Sequence, residues 1–500
     1  MKRRSSLRDY TAFVWLIAGG AVLIMRPVVP SATWLMVHLV MLGALTHSAF
    51  VWSEYFTHAI LRTRATPMQV RRARQRIIVL IIGTLLVLVG IPLTSAYGGG
   101  HLRSAWTIVA AGAGIIIAAI GWHTVFIWRE FTRALPGRFN FVTRYYGAAS
   151  LFLILGNIFG ASISFGVGEA TQARLLAAHL AANFLGWIGL TVIGTLITFW
   201  STMLRTQMAP HTARFSARLF PVFVASDLTV ITGALLGMLP LAVGGFAVYL
   251  LALVVWASTM WTPLRKVSLR EFAPASVAAG LTWAVVGLGG VLLVIYRSST
   301  WSDFDANVRN LSPILVAGFA LQLLIGALSY LMPMVMGGGP AVSRAMNTQM
   351  NRYGVARVIL TNAGLILAIT FSHRPALHIA GIVLAGIGFL AFFSATKRAL
   401  SAFIKAKKEA PTSATKTATD TSPSEKSQAP TAGEQASQRA IDRRWGQLQW
   451  AGSEMIGAIA IIAVVLSVGA VVDRGEMPKL LVVRAPLPPS RLLPLGTLRA

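Results

Sequence analysis

The sequence predicts an all-α fold, a polytopic transmembrane helical bundle of about twelve core helices plus one C-terminal transmembrane helix. Three observations predict it. The 500-residue chain is 55% hydrophobic and only 12% charged, where an average soluble domain carries about 25% charge. Thirteen apolar runs are each long enough to cross a bilayer core, which takes roughly 20 residues. The 44 Lys+Arg fall mostly in alternate connections between those runs.

The first run, 11–28, follows the basic stretch Met1–Arg8 and has no small-residue cleavage site, so it reads as a retained helix. The runs 32–54, 76–96, 104–128, 145–166 and 173–204 come next, then 217–239, 241–261, 274–296 and 311–336. The last of these is stopped by Gly337-Gly338-Gly339-Pro340, a turn signal that lacks the Lys-Ser/Thr of a phosphate-binding loop. Runs 353–371 and 376–396 complete the core, and 449–472 stands apart. Residues 405–440 are rich in Ala, Thr, Ser, Lys, Gln and Pro and bury no core. The predicted domains are therefore a membrane domain over 1–400, a disordered cytoplasmic linker over 401–446, an additional helix over 447–474 and a short extracytoplasmic tail over 475–500.

With the N-terminus in the cytoplasm, 33 of the 44 Lys+Arg lie on the cytoplasmic side. The positive-inside rule accounts for the net charge of +28 without nucleic acid and predicts a multi-pass protein of the cell membrane with an extracytoplasmic C-terminus. Tryptophans agree: Trp52, Trp128, Trp200, Trp261 and Trp450 lie near cytoplasmic ends, and Trp34, Trp106 and Trp301 near outer ends. Trp187 and Trp283 read as apolar filler. The absence of Cys excludes disulfides, thiolate metal sites, Fe–S clusters and covalent haem attachment through thioethers.

Ionisable groups at membrane depth are costly and so are candidates for function. Seven of the nine His fall in two layers. The outer layer holds His38, His179, His373 and His378, and imidazoles converging there from separate helices can ligate haem or copper. The alternative is four interfacial histidines wetted by headgroups. The inner layer holds His47, His58 and His123. His47, Glu54 and His58 share one helical face, as do His123 and Glu130. They read as a proton relay, a second metal site or polar interhelical glue. His38 and His47 are half a turn out of phase and are not expected to share a metal. Asp227 is the most isolated carboxylate, and Asn157, Asn183, Gln322 and Asn362 are further mid-membrane polar groups. Met332, Met334 and Met336 around Pro333 read as packing rather than a Cu(I) cluster.

Two stretches carry a family resemblance. One is Ala178-His179-Leu180-Ala181-Ala182-Asn183-Phe184-Leu185-Gly186-Trp187, running on to Met203-Leu204-Arg205-Thr206. The other is Gly326-Ala327-Leu328-Ser329-Tyr330-Leu331-Met332-Pro333, ending in Gly337-Gly338-Gly339-Pro340. Both resemble the membrane region of actinobacterial proteins known as copper oxidases, which is often fused to an extracellular nitrite-reductase-like cupredoxin module. That region is distantly similar to NnrS proteins and to subunit I of haem–copper oxidases. The resemblance implies haem or copper binding, with His179 matched locally and His38 and His47 in the region where oxidase-like folds carry a haem ligand. Ala181 stands where the family pattern has a second His, and the paired His-His of oxygen-reducing subunits is absent. A complete terminal oxidase is not expected.

Three functions are open at this point. The first is an oxidase-like protein that binds haem or copper and supports copper, nitrogen-oxide or respiratory metabolism. The second is a membrane anchor or assembly factor for a separate cupredoxin or respiratory-chain partner. The third is a twelve-helix secondary transporter.

Overall fold

The computed structural model describes residues 11–96 and 103–409. The linker, the thirteenth run and the tail expected from the sequence lie outside the described residues. Within them the chain is helical, without β-strands. Eleven helices are long and apolar enough to cross a membrane, and a shorter apolar helix precedes them. The core of about twelve helices is therefore present, and the chain is a multi-pass membrane protein.

The helices are α1 (Thr11–Ile24), α2 (Ala32–Ile60), α3 (Pro67–Ala96), α4 (Arg103–Arg133), α5 (Val142–Ser164) and α6 (Glu169–Leu204). They continue as α7 (Thr212–Leu236), α8 (Leu239–Leu264), α9 (Phe272–Arg297), α10 (Trp301–Val308) and α11 (Pro313–Met336). The last three are α12 (Gly339–Asn351), α13 (Gly354–Thr370) and α14 (Pro375–Glu409).

The bundle is apolar outside, and its buried polar groups sit within a mostly hydrophobic core. Leu251, Val254, Ile359 and Leu390 are each more than 60% exposed, whereas His47, Thr84 and Asp227 are fully buried. A soluble fold would not expose so many large aliphatic side chains in contiguous bands. Lipid can surround them, and it forces polar groups to find partners inside the bundle.

Two short helices escaped the sequence reading because neither spans the bilayer. α10 opens with a reciprocal cap: the Asp303 amide donates to Thr300 Oγ1, and the Thr300 amide to the Asp303 carboxylate. α12 buries Val342, Met346 and Met350 along one stripe, the spacing of a helix with a single apolar face.

Three of the long helices contain π-helical stretches: Leu39–Leu45 in α2, Ala181–Gly189 in α6 and Pro313–Leu321 in α11. Such widened turns are rare and tend to mark functional sites. All three contribute walls to the same cavity.

Candidate functional site

That cavity has a volume of about 1040 Å³ and lies at the end of the bundle that carries His38. Met41 and Leu42 come from the first π-helical stretch, Asn183 and Trp187 from the second, and Leu315 and Val316 from the third. Its size is at the upper end of the range for ligand pockets, about 300–1,000 Å³.

Two histidines line it close together. His38 lies immediately before the first π-helical stretch and His179 two residues before the second, and their ring centroids are 6.4 Å apart with planes 28° from parallel. Each ring is held by its other nitrogen. His38 Nδ1 donates to the Trp34 carbonyl at 2.9 Å, and His179 Nδ1 donates to the Gly156 carbonyl at 2.8 Å. A carbonyl can only accept, so both protons sit on Nδ1 and both Nε2 atoms keep a lone pair. Neither Nε2 has a hydrogen-bond partner among the described residues. This is how metal-ligating imidazoles are usually oriented.

The surroundings fix these positions. The His38 ring stacks on Trp34 at 3.9 Å. Gly160 on α5 leaves room for the His179 ring, since a Cβ there would come within 2.9 Å of His179 Cε1. One turn earlier, a Cβ at Gly156 would overlap the Asn183 side-chain amide. Asn183 Nδ2 donates to the His179 carbonyl at 2.7 Å, which braces α6 where its winding changes. Arg26 and Arg309 line the same cavity and are exposed. In the sequence Arg26 and Arg309 look like ordinary connecting-loop charge, and the Gly156/Gly160 face is not marked as a site. Four-residue glycine spacing next to Asn157 was the available signal.

The other outer histidines lie elsewhere. His378 Nδ1 donates to the Ala368 carbonyl at 2.9 Å and binds α14 to α13, and His373 is exposed in the turn between those helices. Neither lines the cavity. His47 is fully buried behind it, donating from Nδ1 to the Gly43 carbonyl at 2.7 Å beside the Trp15 ring. His47 does not line the cavity that His38 lines.

The inner layer forms a chain of interhelical bonds. Arg76 Nη2 meets Glu54 Oε2 at 2.6 Å, and both side chains are buried. Ser53 Oγ and His123 Nε2 are 2.9 Å apart. His58 Nδ1 donates to Thr63 Oγ1 at 2.7 Å, and Thr63 donates to Glu130, which also accepts from Gln69 at 2.7 Å. These bonds join α2, α3 and α4, which fits polar glue. No group of three or more His, Asp or Glu among the described residues could hold a metal ion, so His123 and His373 belong to no such set.

No protein-family model and no curated protein matches the chain. The functional reading therefore rests on the residues themselves.

Trp187 and Trp283 prove to be more than filler. The Trp187 indole donates to Thr46 Oγ1 at 3.1 Å on the cavity wall, and the Trp283 indole donates to Asn362 Oδ1 at 2.6 Å. Asn362 and Gln322 exchange amide bonds at 3.1 Å, so this mid-membrane cluster closes on itself across α9, α11 and α13. Asp227 is different, because neither of its carboxylate oxygens has a partner. Gly186 leaves the space for it, since a Cβ there would lie 2.7 Å from Asp227 Oδ2. The isosteric change Asp227→Asn adds no volume and breaks no bond. It is expected to alter stability by less than about 1 kcal/mol, measured by thermal unfolding in detergent.

Proposed function

We propose that this protein is a membrane haem protein of the oxidase-like or NnrS-like type, in which His38 and His179 would hold the haem. The observation that carries the reading is the pair of neighbouring imidazoles on one cavity, each bonded through Nδ1 and unbonded at Nε2. The two rings line one cavity, and their Nδ1 bonds leave both Nε2 atoms for a ligand. Their centroids are 6.4 Å apart. The cavity is large enough for a porphyrin, and Arg26 on its lining would supply a cation for one of its carboxylates, whereas Arg309 is already held by Asp305 at 2.6 Å. A copper site is less well served, because copper would need donors beyond these two imidazoles.

Bound haem would supply one-electron chemistry. His38 and His179 would hold it from two helices, while Trp34, Trp187 and the aliphatic wall would keep water from the ring faces. A haem held by two imidazoles would suit electron transfer to or from a partner better than oxygen reduction. This agrees with the missing His-His pair and with a respiratory-chain or cupredoxin partner. The positive-inside rule places this cavity at the extracytoplasmic side, where such a partner would dock.

The test is an optical spectrum of full-length protein purified from cells given both haem and copper. The wild type is expected to show a Soret band with bis-imidazole visible bands. His38→Ala and His179→Ala are each expected to remove or shift that spectrum, while His378→Ala leaves it unchanged. A wild-type preparation without a Soret band would overturn the haem reading, and bound copper in its place would favour the copper form.

A further inference from the structure

At the opposite end of the bundle two arginines share a buried corner without a counter-charge. Arg357, on the first turns of α13, is 6% exposed. Its guanidinium stacks on the Phe272 ring at 3.7 Å, and Nη1 donates to the Met350 carbonyl at 3.0 Å. That bond ties α13 to the end of α12. The remaining edge, Nε and Nη2, is buried and has no hydrogen-bond partner. Arg398 is on α14, which packs against α13 with Gly388 directly opposite Thr361, one turn beyond Arg357, and its charge acts on Arg357. Its Nε is likewise buried without a partner, and its Nη1 reaches only Ser394 Oγ at 3.4 Å. The ion pairs among the described residues give no carboxylate to either arginine.

Two like charges with unmet donors in one low-dielectric corner are unfavourable, and neither can shed its proton at ordinary pH. An anion between them would satisfy both donors and cancel the repulsion. The free Nε/Nη2 edge of a guanidinium is the planar fork that takes two oxygens of a carboxylate or phosphate at once. On these two helices large aliphatic side chains face outward, among them Ile359, Ile387 and Leu390. The site also lies at the end of the bundle where Lys and Arg concentrate, such as Lys397 and Lys405.

We propose that Arg357 and Arg398 bind a phosphate group, supplied by the headgroup of an anionic lipid whose chains lie against α13 and α14. Basic pockets between transmembrane helices are a known way to hold such headgroups. The proposal does not depend on the haem reading, because the two sites lie at opposite ends of the bundle.

The test uses the full-length protein in mild detergent, with phosphatidylglycerol, phosphatidylcholine or inorganic phosphate added separately. Native mass spectrometry and thermal unfolding are the readouts. Phosphatidylglycerol is expected to be retained at one copy per chain and to raise the unfolding temperature, while phosphatidylcholine does neither. Arg398→Gln is half-buried and tolerable, and is expected to weaken retention about tenfold. Lys397→Gln, an exposed charge one residue away, is expected to leave it unchanged. If inorganic phosphate alone gives the same stabilisation and competes the lipid off, the same two arginines bind a free phosphate instead. Equal behaviour of phosphatidylglycerol and phosphatidylcholine with no effect of phosphate would overturn the proposal. So would an Arg398→Gln variant that binds as the wild type does.

Discussion

Arg76→Met is expected to cost about 3–5 kcal/mol of stability, the range for breaking a buried ion pair by removing one partner. Arg76 is 2% exposed and Glu54 5% exposed, and their atoms meet at 2.6 Å. The guanidinium also lies over the Phe126 ring at 4.6 Å, so the substitution removes a cation–π contact as well. Most of the cost comes from the carboxylate left behind, because Glu54 would remain buried without its counter-charge. A double variant, Glu54→Gln with Arg76→Met, removes both charges and is expected to recover most of the loss. Thermal unfolding in detergent of the two single variants and the double variant gives the coupling directly. A double variant no more stable than Arg76→Met alone would show that the arginine acts through packing rather than charge.

Gly364→Val is expected to separate α13 from α14 and to cost about 3 kcal/mol, the upper end for overpacking a tight interface. A Cβ at Gly364 would overlap the backbone nitrogen of Ala385 and lie 2.7 Å from the Gly381 carbonyl oxygen. A Cβ at Gly381 would in turn overlap the Ala368 nitrogen. Backbone cannot swing aside as a flexible side chain can, so the helices themselves must move. Gly386, on the same helix, has nothing within 4 Å of its would-be Cβ. Gly386→Ala is expected to be neutral or stabilising by about 0.5–1 kcal/mol through helix propensity. If Gly364→Val and Gly386→Ala unfolded alike, close backbone approach would not be what holds this pair together.

This contact was written in the sequence as two Gly-x-x-x-Ala spacings, Gly364 to Ala368 and Gly381 to Ala385. Small residues four apart let transmembrane helices approach closely. The sequence reading did not use them, because one spacing alone cannot say which helix it faces. The spanning helices themselves were legible, since lipid demands long apolar runs and punishes any other solution. α12 was not, because an amphipathic helix of 13 residues carries too few apolar positions to register as a span. Of the outer histidines, sequence placed four at one depth but could not rank them. Depth follows from distance along a helix, whereas convergence depends on how the helices pack. Only packing shows that His38 and His179 meet while His378 is spent on a carbonyl of the neighbouring helix. The Arg357–Arg398 corner was hidden for the same reason, since the two residues are distant in sequence and meet across α13 and α14.

The π-helical stretch Leu39–Leu45 separates the His38 end of α2 from the Glu54 end. In a regular α-helix, removing one residue turns everything downstream by about 100°. A widened turn is the place where such a deletion can be absorbed by rewinding to the regular form. Losing one residue there would rewind the stretch and leave both His38 and the bonded Glu54–Arg76 half where they are. The stretch thus acts as slack in the helix, through which the direction of one imidazole is kept apart from a change in chain length.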